Sequence, residues 1–295
     1  MPMRSWLFAP GDSEKKLAKL STTGADVVIL DLEDAVTPEG KPRARELVRE
    51  WLEARRTLVV EGRHQSRWVR INALDTPYWR DDLIAVMSGA PDGIMVPKAP
   101  GPEILPDLAA EIYELEQRHR IANGATRLLP LVSETPAAAL RIPEYVGASA
   151  PRLLGLTWGA EDLSAAIGAT RKRGPDGSWT DAFRQVRSTV LLTAHARGAL
   201  AIDTLYADFH DLDGLKRAAE ESRADGFTGM LAIHPSQVPV INAAFTASEA
   251  ELAEARAIVD AFSASPGSGA VQYQGRMVDQ PHLRQARRLL GLSAG

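Results

Sequence analysis

Eight short apolar runs punctuate the chain, each parted from the next by a stretch with helical spacing. They are SWLFAP (5–10), VVILDLE (27–33), RWVRIN (67–72), GIMVPK (93–98), RLLPLVS (127–133), LLGLTWG (153–159), ALAIDT (199–204) and GMLAIHP (229–235). Each has about five or six core residues, the usual strand length. Their continuous apolar character, without strict alternation, is the pattern of strands covered on both faces, as in a parallel sheet. Between them, SEKKLAKLSTTG sets Leu17 and Leu20 three apart and closes on a glycine. DAFRQVRSTVLLTAHARG carries apolar residues at 183, 186, 190 and 194 and again ends in glycine. Both read as helices with a stop signal.

Strand and helix alternating eight times predict a (β/α)₈ TIM barrel, an α/β fold, from residue 5 to the region of residue 245. An open doubly wound sheet is the alternative, but it usually has fewer strands and a glycine-rich first turn that is missing here. Beyond the eighth run come a helix at 248–262, a Gly/Ser/Pro-rich stretch SASPGSGAVQYQG (263–275) that reads as a mobile linker, and an amphipathic helix around 281–290. The expected organisation is a barrel over 1–245 and a helical extension over 246–295, able to fold back or to pack on a neighbouring subunit.

In such a barrel the active site forms at the C-terminal strand ends. Here those ends carry Pro10, the acids Asp31, Glu33 and Asp34, then Arg70 and Asn72, Lys98, Glu134, Asp162, Asp203 and His234. In VILDLEDAV (28–36) an apolar strand runs straight into three carboxylates. On a barrel rim, a cation or a basic side chain balances them. Each charge also has a plain structural account. Glu134 and Asp162 stand where a helix begins, beside Ser133, Thr135, Pro136 and Glu161, and cap chemistry is common there. Taken together, two carboxylates on adjacent strand ends make an all-oxygen site, which suits Mg²⁺ or Mn²⁺ over zinc. Arg70 serves as an ion-pair partner for Asp31 or Glu33, as a fork for a substrate carboxylate or enolate, or as both at once. Lys98 is a weaker candidate for Schiff-base chemistry, and His234, ahead of a proline, lines the rim.

Composition narrows the field. There is no cysteine, which excludes disulfides, thiolate nucleophiles and Cys-ligated metals. A net charge of −4 and a pI near 5.9 give no footprint for nucleic acid. No apolar run is long enough to span a membrane, and the N-terminal one, WLFA, is too short for a secretory signal, so a cytoplasmic protein is expected. GxSxG, HExxH, GxxxxGK[ST] and GxGxxG motifs are all missing. RKRGPDG (171–177) reads as a solvated loop whose charges would also suit phosphates.

As a set, RSWLFAPGD, DVVILDLEDAV, VRINALDT, IMVPKA, LVSETPAA, WGAEDLSAAIG, AIHPSQ and GRMVDQPHLRQA resemble the citrate lyase β-subunit/malyl-CoA lyase family, the HpcH/HpaI aldolases, in order from residue 4 to the region of 290. Stand-alone citrate-lyase-β-like proteins are the nearest type. The resemblance implies a Mg²⁺-dependent TIM barrel that cleaves or forms a C–C bond between a 2-oxo acid (oxaloacetate, pyruvate or glyoxylate) and an acyl thioester of coenzyme A or of an acyl carrier protein. Carried over by motif, it makes Glu134 and Asp162 the metal ligands and places Arg70 at the substrate carboxylate and thioester oxygen. Backbone groups of Gly159, Ala160 and Glu161 would bind substrate. Asp31, Glu33, Asp34 and Lys98 would support the metal waters and Arg70. Asp279 of GRMVDQP matches an acid/base aspartate supplied by a neighbouring subunit, although a cap before the Pro281 helix explains it equally well. A homotrimer or hexamer is implied. A class II pyruvate aldolase acting without a thioester, and a non-catalytic subunit that binds an acyl carrier protein, are the competing readings.

Overall fold

The computed structural model describes residues 3–56 and 65–292, and the chain divides into two units, Met1–Phe245 and Thr246–Gly295. In the first unit the eight apolar runs form eight parallel strands. They are β1 (Ser5–Pro10), β2 (Val27–Asp31), β3 (Ser66–Arg70), β4 (Gly93–Val96), β5 (Arg127–Pro130), β6 (Gly155–Thr157), β7 (Leu200–Asp203) and β8 (Gly229–Ala232). Neighbours in sequence are neighbours in the sheet, and β1 pairs with both β2 and β8. Bridges Leu128–Leu153 and Leu131–Thr157 close the ring between β5 and β6. An open sheet would reverse its strand order at a switch point. This one does not; it is a barrel.

Side chains alternate between the two faces of each strand. One set, including Trp6, Ile29, Trp68, Met95, Leu129, Ile202 and Leu231, fills the barrel interior. The alternate set, including Leu7, Val28, Leu30, Val69, Ile94, Leu156 and Ala201, packs under the surrounding helices. Both faces are therefore apolar, which is why the runs read as continuous. Trp6 and Trp68 meet edge-on at 5.1 Å and plug the floor. Their indole N–H groups donate to Met3 O and Ser66 Oγ. Trp68 also dictates the start of β4: a Cβ at Gly93 would lie 2.4 Å from its ring.

Most of the ladders end earlier than the apolar runs that announced them. At β2 pairing stops at Asp31, at β3 at Arg70, at β5 at Pro130 and at β6 at Thr157. The overhanging residues, LE, IN, LVS and WG, become the first steps of the rim loops.

The second unit begins with the helix Glu249–Ser263, opened by a capping box between Ser248 and Glu251. The stretch expected to be a linker is partly a hairpin: Ala270–Tyr273 pairs antiparallel with Arg276–Asp279. Its two turn residues, Gln274 and Gly275, both have positive φ (46° and 77°), the geometry of a tight two-residue hairpin turn. Gln-Gly is a weaker signal for that turn than Asn-Gly, and the short, half-polar strands add little. The helix Gln280–Leu289 follows, and Ala255, Ile258, Phe262, Val278, Leu283 and Ala286 form this unit's own small core.

Candidate active site

The site is built on a rung of the ladder. Asp31 lies opposite Arg70 in the β2–β3 register, each two residues beyond an inward-facing side chain, Ile29 and Trp68. The Arg70 guanidinium forks onto Asp31, Nε to Oδ1 at 2.8 Å and Nη2 to Oδ2 at 2.6 Å. Nη1 stands 2.8 Å from Glu33 Oε2, an ion pair by distance but without hydrogen-bond alignment, and that buried oxygen has no other partner. The Phe8 ring lies 5.0 Å beneath the guanidinium. Burial works against the Arg70 charge, but Asp31 and Glu33 outweigh it and hold its pKa above the ordinary arginine value. The ion-pair and functional accounts of Arg70 are compatible: Asp31 takes Nε and Nη2 in aligned hydrogen bonds, while Nη1 meets Glu33 by charge without one.

Lys98 follows β4 in a left-handed conformation (φ 49°). Its ammonium rests on Glu33 Oε1 and lies 3.3 Å from Asp34 Oδ2. Burial opposes this charge too, yet the bond to Glu33 raises the lysine pKa above normal. A Schiff-base lysine needs the opposite shift. Lys98 is a fixed cation.

At the end of β5, Thr135 caps the helix Pro136–Arg141, its side chain accepting from the Ala138 N–H at 3.2 Å. Glu134 stands one residue before that cap, outside the helix, so a first-turn role does not apply. Its carboxylate accepts the Lys98 backbone N–H and is only 4% exposed. Burial, then the charges of Asp162 and Glu33, push its pKa up to about 8, against the Lys98 N–H and Arg70. Asp162 is half-buried in the first turn of the helix Ala160–Ala166.

Gly159 makes this approach feasible. A Cβ there would stand 3.3 Å from Glu134 Cγ and 3.6 Å from its Oε1. The Gly159 N–H, expected at the substrate, donates to Ser133 Oγ at 3.1 Å. Its contribution is the missing side chain. Ala160 opens the helix, while the Glu161 carboxylate turns away to Lys172.

Other rim positions have structural duties. Asp203 sits on the outward parity of β7, where it accepts from Trp158 Nε1 at 2.7 Å and Arg187 Nε at 2.9 Å. Asn72 donates to Leu32 O and Asp82. His234 bonds Ser236 through Nδ1 and stacks on Phe209 at 4.9 Å. In the second unit Asp279 caps the last helix, reciprocally with His282. The 2.6 Å contact with the His282 ring nitrogen holds the aspartate pKa below the usual range. Sequence reasoning missed Phe8, which counting in twos from Trp6 would have found. It also missed Lys41, whose buried ammonium donates to main-chain oxygens behind the acidic loop.

These residues fit a divalent cation. Five carboxylates (Asp31, Glu33, Asp34, Glu134 and Asp162) meet three cations, Arg70, Lys98 and, from behind, Lys41. With all five ionised the excess equals the charge of one divalent ion, and the raised Glu134 pKa shows that its own carboxylate is short of positive charge. Among the described residues no three His, Cys, Asp or Glu side chains form a ready cage. Mg²⁺ does not require one: it keeps several waters and takes one or two carboxylates.

A closed parallel barrel whose rim sets a guanidinium beside buried carboxylates is the architecture of enzymes that build their active sites at the C-terminal strand ends. Comparison with known proteins narrows the class. Residues 4–235 match the family described as HpcH/HpaI aldolase/citrate lyase. A citrate lyase subunit beta-like protein of Mycobacterium tuberculosis is 39% identical over 286 residues, spanning 97% of this chain and 93% of that protein. An L-malyl-CoA/beta-methylmalyl-CoA lyase of Rhodobacter capsulatus is 34% identical over 310 residues, spanning 96% and 92%. The crystal structure of CitE from Mycobacterium tuberculosis with magnesium, acetoacetate and coenzyme A has a TM-score of 0.77 and 37% identity, covering 98% of this chain and 97% of that one. The chain belongs to the HpcH/HpaI aldolase/citrate lyase family and is one of its carbon–carbon lyases.

Proposed function

We propose that this chain is a Mg²⁺-dependent lyase that splits a 3-hydroxy-3-carboxyacyl thioester of the citryl-, citramalyl- or malyl-CoA type into a 2-oxo acid and an acyl thioester. The observation that carries the reading is Arg70, its side chain only 13% exposed, permanently charged and pinned by Asp31 beside Glu134. The named lyase among the relatives, and the magnesium, acetoacetate and coenzyme A of the related CitE complex, support a thioester of coenzyme A and a small oxo acid.

Glu134 and Asp162 would hold Mg²⁺, with Mn²⁺ as the substitute, and the bound ion would acidify the substrate hydroxyl and polarise the carbonyl formed from it. In the cleavage direction the hydroxyl passes its proton to solvent water. The bond from its carbon to the thioester α-carbon breaks, and the electron pair moves onto the thioester as an enolate. Arg70 neutralises that enolate oxygen without having to reorganise, because Asp31, Glu33 and Phe8 fix it beforehand. Lys98 keeps Glu33 and Asp34 in place. Asp279, supplied by a neighbouring subunit of a homotrimer or hexamer, returns a proton to the α-carbon; in condensation it removes one.

The test is a panel of citryl-, citramalyl- and malyl-CoA with purified protein. Cleavage of at least one to a 2-oxo acid is expected, abolished by excess EDTA and restored by Mg²⁺. Full turnover in EDTA would reject the metal role, and no turnover with any thioester would reject the reading. Aldol cleavage of a hydroxy-oxo acid without a thioester would favour the pyruvate aldolase instead. Mixing Asp279→Ala subunits with Arg70→Lys subunits is expected to give activity that neither parent has. If none is regained, Asp279 does not act across subunits.

A further inference from the structure

We infer that Lys41 is a positioning residue: its buried ammonium clamps the loop 32–36 so that Glu33 and Asp34 are presented to Arg70 and Lys98. The inference rests on the lyase reading, since it concerns the residues that pin Arg70.

Lys41 is 6% exposed, and its Nζ donates to the carbonyls of Leu32 (3.0 Å), Glu33 (3.2 Å) and Val36 (3.3 Å). An ammonium has three hydrogens in a tetrahedral array, and here each has an oxygen. Gathering three carbonyls at one point forces the loop to curl, and the Val36 N–H closes the curl onto Glu33 O at 3.0 Å. The Tyr78 ring, 5.5 Å away, lies against the ammonium. A second brace meets the same loop: Asn72 Nδ2 donates to Leu32 O at 2.9 Å, Asp82 holds Asn72, and Arg45 Nε holds Asp82 at 2.7 Å.

Stability alone would not choose lysine here. Lys41 is the first residue of the helix Lys41–Glu53, at the positive end of the helix dipole. Burial lowers its pKa, with Asp82, Glu33, Asp31 and Asp34 acting in the opposite sense. The hydrogen bonds of Lys41 go to main-chain oxygens, none to a carboxylate. What it supplies is the shape of the loop. That shape turns the Glu33 side chain to face both Arg70 Nη1 and the Lys98 ammonium.

The experiment compares the full chain with Lys41→Met and Lys41→Arg. Lys41→Met is expected to lower kcat at least tenfold, with KM for the thioester changed by less than about threefold, as for loss of orientation at the reacting atoms. Amide hydrogen exchange at 33–36 should become at least about tenfold faster in the same variant. Lys41→Arg keeps the charge but replaces a tetrahedral donor with a planar fork, and kcat should still fall at least about fivefold. Because the chain has no cysteine, Lys41→Cys can be aminoethylated while unfolded and then refolded, and restoring the ammonium should restore kcat. Wild-type kcat in Lys41→Met or Lys41→Arg, whatever happens to the melting temperature, overturns the proposal. If Lys41→Met does not fold, Lys41→Arg decides. Unprotected exchange at 33–36 in the wild-type protein also overturns it. If the wild type cleaves no thioester, the lyase reading fails, and amide exchange alone judges the clamp.

Discussion

Glu134→Gln is expected to raise the melting temperature of the metal-free protein at pH 8.5 while removing its turnover. The Glu134 carboxyl is buried next to the charges of Asp162 and Glu33, and its pKa stands at about 8 against an ordinary 4.5. The folded state therefore binds this proton more tightly than the unfolded state does. The group's contribution is fully present below pH 4.5 and is lost as the pH rises to about 8. Within that window each pH unit costs up to about 1.4 kcal/mol. Glutamine cannot ionise, and its side-chain oxygen still accepts the Lys98 N–H. The variant should match the wild type near pH 4.5 and exceed it by roughly 10–20 °C at pH 8.5, where each kcal/mol is worth roughly 2–4 °C. Saturating Mg²⁺ should stabilise the wild type much more than the variant. Turnover should fall by more than about a hundredfold, the scale of losing several kcal/mol of charge stabilisation. Calorimetry with EDTA and with Mg²⁺ at the two pH values measures all of this. A Glu134→Gln protein less stable than wild type at pH 8.5 would show that the carboxylate is not held at an unfavourable charge.

Arg70→Lys should separate catalysis from folding. Truncation to alanine cannot do so, because it strands Asp31 and Glu33, both buried, without their cation, at a cost of about 3–5 kcal/mol. Lysine keeps one charge near the acids, so the stability loss should be only about 1–2 kcal/mol by urea unfolding. It cannot fork onto Asp31 and at the same time offer a planar edge to an enolate. We expect kcat to fall by about 10²–10³, as on removing one donor from a preorganised anion site, with a smaller change in KM. A folded Arg70→Lys protein with wild-type kcat would return Arg70 to a purely structural role.

The fold was legible because parallel strands covered on both faces write their burial as unbroken apolar runs, and VVILD and GIMV needed no alternation to be found. The same continuity hid the parity. Nothing in ALAIDT says whether Ile202 or Asp203 faces the interior, and the inward-facing residue is Ile202. Asp203 was therefore taken for a rim acid when it is the anchor of Trp158 and Arg187. Asp31 and Arg70 could be singled out because charge at the end of an apolar strand needs a partner, and each supplies the other's. Lys41 went unnoticed because its acceptors are carbonyls, which leave no trace in side-chain chemistry. The close packing of Gly159 on Glu134 left no signal because it depends on an atom the residue lacks. The hairpin from Ala270 escaped notice because its strands carry few buried side chains.

Trp6 and Trp68, both wholly shielded from solvent, stopper the strands' N-terminal end. The side chains above them fill the interior up to the rim, so anything that meets Asp31, Arg70 and Glu134 comes to them from the strands' C-terminal end.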